Sequence, residues 1–131
     1  VDERSHVITD FIEMALKDGV IKMRTDGNES RQFLYVEDCC EALVILSKLY
    51  DDLPRNEELH ISNYEWTTVE EVAKIISILC NCKYIKGEFK DNVQMSIQEE
   101  PNKNILKYWK PKTSIKEGMG RIIEKAKHFE K

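Results

Sequence analysis

The sequence alternates amphipathic helical patterns with short runs of β-branched and aromatic residues, and this alternation favours an α/β fold. Apolar residues recur at helical spacing in four segments, which begin near residues 5, 38, 67 and 114. Strand-like runs occupy residues 20–24, 31–36, 59–62 and 83–89, and a shorter helix is predicted over 102–109. We therefore predict short strands with several amphipathic helices, in one domain that covers residues 1–131.

Local signals predict where these helices begin and end. Capping side chains are expected at Ser5, Asp38, Thr67 and Ser114, and the last three are each followed three residues later by a glutamate. A glycine at position 19 is predicted to end the first helix, and residues 26–27 (Asp-Gly) are predicted to form a turn.

The longest unbroken apolar run is only five residues, 42–46. A membrane span needs about 18–20, so the sequence excludes a transmembrane protein. No basic and then apolar leader opens the chain, which gives no indication of secretion. Because the first residue is Val1 and a motif begins almost at once, we expect a fragment of a longer protein.

The four cysteines, Cys39, Cys40, Cys80 and Cys82, follow neither a disulfide framework nor the spacing of a zinc site. The three histidines are scattered and add no ligand pattern. We expect reduced thiols, no metal and a cytoplasmic location, with Cys39 and Cys80 serving as small core residues.

Charge is distributed unevenly along the 131 residues, whose formal net charge is −4. Residues 102–131 carry a net +6 and the first 101 a net −10. The basic end is interpreted as the solvated face of an amphipathic helix, with an acidic partner as a weaker alternative. No aromatic residues interleave with its lysines and the remainder is acidic, so no nucleic-acid partner is expected.

Three motifs occur in one order along the chain. Residues 26–38 read DGNESRQFLYVED and are followed by Glu41 and Ala42, residues 109–118 read WKPKTSIKEG, and residues 5–8 read SHVI. They resemble, in turn, the "GDGxxxRDFxYVxDxxxA" segment, the "GWxPKTSLEEG" ending and the "SHVIP" opening found in extended short-chain dehydrogenases. The chain resembles the C-terminal, substrate-binding portion of the NAD-dependent epimerase/dehydratase family, nearest to GDP-fucose synthase-like members.

That resemblance implies a lobe that binds an NDP-sugar, within an isomerase or oxidoreductase that uses NAD or NADP bound by an N-terminal Rossmann half. Such a half would carry a glycine-rich fingerprint and a Tyr-x-x-x-Lys pair, and neither is present here. Tyr108 and Lys112 match the spacing by accident, since Pro111 lies between them within the "WxPKT" motif. No catalytic residue is assigned, and residues 1–131 alone are expected neither to bind NAD nor to transfer hydride. Relatives are often homodimers.

The resemblance also assigns a nucleotide-diphosphate site to Arg31, Arg24, His6 and Val7. In relatives the Arg of "RDF" contacts the diphosphate, and a guanidinium suits phosphate oxygens because its planar donors bind two at once. The alternatives are a surface ion pair for Arg31, a solvated strand end for Arg24 and a solvent-facing helix start for His6. A further phosphate-binding Arg of relatives is replaced by Gln94 or Met95, neither of which carries its charge.

Other residues in the motifs are assigned structural roles. Phe33 and Tyr35 are expected to pack, Asp38 to cap a helix and Trp109 to anchor the core. Two other functions stay open: a stand-alone, non-catalytic nucleotide-binding or protein-interaction module, and more weakly a binder of acidic partners through the basic end.

Overall fold

The computed structural model describes residues 6–92 and 99–129. In that part of the chain, helices and short strands follow in the order α1 (Val7–Asp18), β1 (Val20–Lys22), β2 (Ser30–Arg31), α2 (Val36–Lys48), β3 (Thr67–Thr68), α3 (Val69–Cys80), β4 (Lys83–Ile85) and α4 (Ile115–Phe129). Two 3-10 turns occupy Tyr50–Asp52 and Asn104–Lys107. The predicted α/β architecture is confirmed.

The strands form two separate pairs. β1 and β4 are parallel, with Ile21 opposite Tyr84. β2 and β3 are antiparallel, with Ser30 opposite Thr68 and Arg31 opposite Thr67. The polypeptide after β1 continues beside the polypeptide after β4, where Thr25 and Phe89 form an isolated parallel bridge. The structure thus contains three extended segments, residues 20–25, 29–31 and 83–89, and these pairings join the first to the third.

The buried apolar residues form two clusters. The larger cluster joins α1, the β1 segment, α3 and α4, through residues that include Phe11, Ile21, Ile76 and Met119. These helices bury the stripes that their periodicity predicts. The smaller cluster consists of Ala42 on α2 with Ile105 and Trp109. Trp109 is 4% exposed, which confirms its predicted role as a core anchor.

Strands are shorter than predicted because each pairs with its partner over only two or three residues. The strand expected over 31–36 is limited to Ser30–Arg31, since its partner becomes α3 at Val69 and Val36 already begins α2. The strand expected over 83–89 ends at Ile85, although Phe89 pairs again at the bridge. The strand expected over 20–24 covers Val20–Lys22.

The strand expected over residues 59–62 is wrong. This segment has no strand partner among the described residues, and Leu59 and Ile61 instead pack against the smaller cluster. His60 is instead bonded to more distant residues. Its backbone carbonyl accepts from the Tyr64 hydroxyl at 2.6 Å, and its ring accepts from the Asn102 backbone amide at 3.1 Å.

Two of the predicted helix caps differ from the structure. The capping box of α3 lies one residue later than expected: Thr68 accepts from the Glu71 amide at 3.1 Å, and the Glu71 carboxylate accepts from the Thr68 amide at 2.8 Å. Asp38 does not cap α2, because the helix already begins at Val36. The predicted cap Ser5 lies outside the described residues, and His6 occupies the N-cap position of α1.

Three other end signals behave as predicted, whereas one short helix does not. Gly19 follows α1 with φ 67°, and Gly27 in the predicted turn has φ 80°. The Glu117 amide donates to Ser114 Oγ at 3.1 Å at the start of α4. The helix expected over 102–109 is reduced to the 3-10 turn Asn104–Lys107.

Asp38 joins two motifs that are far apart in sequence. It is 5% exposed, and its carboxylate accepts hydrogen bonds from the backbone amides of Lys112 and Thr113 at 3.0 and 2.8 Å and from the Thr113 hydroxyl at 3.2 Å. Nearby, Gly118 faces the Tyr35 ring so closely that a Cβ would lie 3.0 Å from it. These contacts fasten the segment before α4 to the start of α2.

The cysteines are free thiols in the described structure. Cys80 and Cys82 pack against the larger cluster, and burial raises the pKa of both thiols. Cys39 is partly buried and Cys40 is exposed. Among the helices within residues 6–92 and 99–129, none has the length and apolar character required to cross a membrane.

Candidate functional site

A cleft of about 440 Å³ lies where α1 faces the three extended segments. This volume is within the range of roughly 300–1,000 Å³ that is usual for small-molecule sites. One wall is apolar and comes from α1, with Val7, Phe11 and Met14. Charged side chains also line the cleft, and four of them come from β1 and the residues after it and from β2 and the residue before it. We call this the α1–β2 cleft.

Alternation along the extended segments explains how charges collect there. Side chains two residues apart in an extended chain point to the same face. Lys22 and Arg24 at the end of β1 form one such pair, and Glu29 and Arg31 at β2 form the other; all four line the cleft. Asp10 on α1 and Asp91 line it too, so the cleft contains three cations and three carboxylates.

Arg31 is the cation most firmly built into the cleft. It lies on β2 opposite Thr67, is partly buried, and makes no ion pair with any described residue. Its Nε atom is buried and has no hydrogen-bond partner. A buried donor without a partner is costly, because it has lost its hydrogen bond to water. Arg31 thus has unused hydrogen-bonding capacity at the wall of the cleft.

Glu29 is held two residues before Arg31 by a short local network. The Thr25 hydroxyl donates to Glu29 Oε1 at 2.6 Å, and Thr25 Oγ1 accepts from the Gly27 amide at 3.2 Å. Glu29 is 4% exposed, and its second oxygen, Oε2, has no hydrogen-bond partner. The cleft wall therefore contains an acidic and a basic group that are both incompletely satisfied.

Close backbone contacts fix the rim of the cleft. The Gly87 amide donates to the Thr25 carbonyl at 2.8 Å, and the Asp26 amide donates to the Phe89 carbonyl at 2.9 Å. Only glycine fits at position 87, since a Cβ there would lie 2.2 Å from the Arg24 carbonyl oxygen. These contacts place Phe89, which is 67% exposed, beside the charged residues.

Three of the four predicted site residues meet in this cleft. Val7, Arg24 and Arg31 line it together, although Val7 comes from α1, Arg24 follows β1 and Arg31 lies on β2. His6 is exposed at the start of α1 and is absent from the lining residues. Gln94 and Met95 lie outside the described residues.

Sequence reasoning assigned no site role to the other lining residues, among which are Glu29 and Phe89. The spacing could have indicated Glu29, because a residue two positions before Arg31 on a strand shares its face. Phe89 had no comparable signal, since its position depends on a bridge to Thr25.

The described glycines do not form a cradle for a dinucleotide. In such a cradle, glycines after a strand let the cofactor's phosphates approach the backbone. Here the chain itself occupies that space: a Cβ at Gly27 would lie 2.5 Å from the Met23 side chain, and the space beside Gly87 is filled by the Arg24 backbone. Gly27 and Gly87 therefore do not form such a cradle in the described part of the chain.

Comparisons with known proteins agree with the motifs. Residues 2–62 match the NAD dependent epimerase/dehydratase family. The chain is 29% identical to the GDP-L-fucose synthase of Sinorhizobium fredii, over 92% of this chain and 40% of that protein. It is 28% identical to UDP-glucuronic acid decarboxylase 3 of Arabidopsis thaliana, over 90% of this chain and 34% of that protein.

Among solved structures, a UDP-glucose 4-epimerase from Thermotoga maritima, determined with UDP-glucose, superposes with a TM-score of 0.76 at 22% identity. The match covers 97% of this chain and 41% of the epimerase chain, and it shows a common fold. The chain is therefore similar in sequence and fold to NAD-dependent epimerases and dehydratases, as its motifs predict. It spans 34 to 41% of the length of these three proteins.

Proposed function

We propose that this chain is the sugar-nucleotide-binding lobe of an NAD(P)-dependent NDP-sugar epimerase, dehydratase or reductase, nearest to the GDP-fucose synthase-like members. In this proposal the α1–β2 cleft binds the nucleotide diphosphate. A separate Rossmann half supplies NAD or NADP and the catalytic Tyr/Lys pair. The relatives' names include a GDP-sugar enzyme and UDP-sugar enzymes, so both nucleotides serve as probes.

The proposal rests on the unpaired guanidinium of Arg31. Its guanidinium lines the cleft without an ion pair, and its buried Nε lacks an acceptor. A diphosphate offers several anionic oxygens, and a guanidinium can bind two of them in parallel. Lys22 and Arg24 line the same cleft and add positive charge. The ion-pair alternative for Arg31 has no support among the described residues.

The test is nucleotide affinity in matched arginine variants. UDP and GDP are titrated into the wild-type chain, Arg31→Ala, Arg31→Lys and the control Arg55→Ala, with binding followed by two-dimensional NMR because millimolar affinity is expected. Arg55 is exposed, lies over the Tyr50 ring and is not among the lining residues. Loss of one charge-assisted phosphate contact should weaken binding about tenfold to hundredfold. Arg31→Lys should restore part of that loss, because it keeps the charge but not the paired geometry.

Two results would contradict the proposal. One is an Arg31→Ala affinity equal to that of wild type and Arg55→Ala while the fold is intact. The other is the absence of saturable shifts at the cleft with either nucleotide. We also expect no NAD binding and no NAD(P)-dependent turnover by the 131-residue chain alone, since the glycine-rich fingerprint and the Tyr/Lys pair are missing; calorimetry with NAD checks this.

A further inference from the structure

Glu29 is an unusual residue to find in a site proposed for an anion. It lines the same cleft as Lys22, Arg24 and Arg31, yet none of these cations lies within 4.0 Å of its carboxylate. Thr25 satisfies one carboxylate oxygen, whereas the other is buried and unpartnered. A carboxylate in this state needs a hydrogen-bond donor.

The backbone prevents Glu29 from turning away from the cleft. Its carbonyl accepts from the Val69 amide at 2.9 Å, where α3 begins, and Ser30 pairs with Thr68 in the next position. With both neighbouring positions fixed, Glu29 and Arg31 share the cleft face of the strand. A ligand that contacts Arg31 is therefore brought next to Glu29.

We propose that Glu29 determines ligand specificity by accepting a hydrogen bond, through Oε2, from a hydroxyl that neighbours the diphosphate. This inference rests on the proposed function. A carboxylate repels a phosphate and binds a hydrogen-bond donor. Arg31 and Glu29 together should therefore favour a phosphate that carries a hydroxyl-rich group over a phosphate alone. In an NDP-sugar that hydroxyl belongs either to the ribose or to the sugar.

The test compares ligands that differ by one donor. UDP against 2′-deoxy-UDP tests the ribose, UDP-glucose against UDP tests the sugar, and the guanosine series repeats both comparisons with GDP, 2′-deoxy-GDP and GDP-mannose. Inorganic pyrophosphate carries no sugar hydroxyl, so its affinity reports only the repulsion between Glu29 and the phosphates. Each affinity is measured by NMR titration in wild type and in Glu29→Gln, which keeps the shape and removes the charge.

We expect wild type to prefer the ligand with the hydroxyl by about tenfold in one of the two comparisons. Glu29→Gln should reduce that preference to about threefold, because a neutral acceptor forms a weaker bond than a carboxylate. The same variant should bind pyrophosphate more tightly than wild type. A substitution that merely loosened the cleft would weaken all ligands together.

The inference is overturned if wild type shows no hydroxyl preference in either comparison, a result that does not depend on any variant folding. It is also overturned if Glu29→Gln is folded and leaves every preference unchanged. In both cases the proposed function stands as long as Arg31→Ala weakens UDP or GDP. The proposed function itself would be contradicted by a different result, namely equal UDP and GDP affinities for wild type and Arg31→Ala.

Discussion

Replacing Asp38 tests whether the two distant motifs are fastened together as described. Asp38→Ala removes three hydrogen bonds to Lys112 and Thr113 and leaves two backbone amides without their acceptor. Hydrogen bonds to a charged group contribute about 1.5–3 kcal/mol each, and water entering beside the exposed Lys112 offsets part of the loss. We expect the free energy of unfolding to fall by about 2–4 kcal/mol.

Urea denaturation followed by circular dichroism measures this change. Asp38→Asn should cost less, about 1 kcal/mol, because its amide keeps an acceptor for the two backbone N–H groups and a donor for the Thr113 hydroxyl. The control is Asp52→Ala in the exposed 3-10 turn, expected within about 0.5 kcal/mol of wild type. If Asp38→Ala and Asp52→Ala unfold at the same urea concentration, Asp38 does not hold the segment before α4.

Three further predictions concern local features of the fold. Gly27→Ala should destabilise the chain by more than about 2 kcal/mol, because φ is 80° and a Cβ would lie 2.8 Å from Glu70 Cβ. Gly120→Ala should stabilise α4 by up to about 1 kcal/mol, because a Cβ there would have no neighbour within 4 Å. The prediction is refuted if both glycine variants change the melting temperature by the same amount. Thr68→Ala should cost about 1 kcal/mol in urea denaturation through loss of the capping box, and an unchanged midpoint would argue against that box. Because burial raises the pKa of the Cys80 thiol, it should react with iodoacetamide at pH 8 more slowly than free cysteine, and faster as pH rises; mass spectrometry after timed alkylation checks both.

The helices could be predicted from sequence because their signals are local. The stripe on α3 and the glycine after α1 lie within a few residues of what they specify, and both are found as predicted. Asp38 was misassigned because an acidic residue near a helix start is ambiguous from sequence. Its real partners, Lys112 and Thr113, are more than 70 residues away.

Strand lengths and the full composition of the site depend on contacts between distant segments. Residues 59–62 have the composition of a strand, but a strand forms only where a partner is available. The motif located Arg31 and Arg24, whereas the structure brought them beside Val7 and added Glu29 and Phe89. That arrangement depends on the pairing of β2 with β3 and on the bridge between Thr25 and Phe89. Neither contact can be predicted from a local sequence pattern.

The most direct test of the central claim observes the Arg31 Nε–H group itself. This donor is buried and has no acceptor in the described structure, so its NMR signal reports any phosphate that reaches it. The signal is assigned by its disappearance in Arg31→Lys, and the chain is then titrated with UDP, GDP and the corresponding nucleosides. We predict a saturable downfield shift with the diphosphates and none with the nucleosides. An Arg31 Nε–H signal that stays in place while UDP or GDP binds elsewhere would contradict the account.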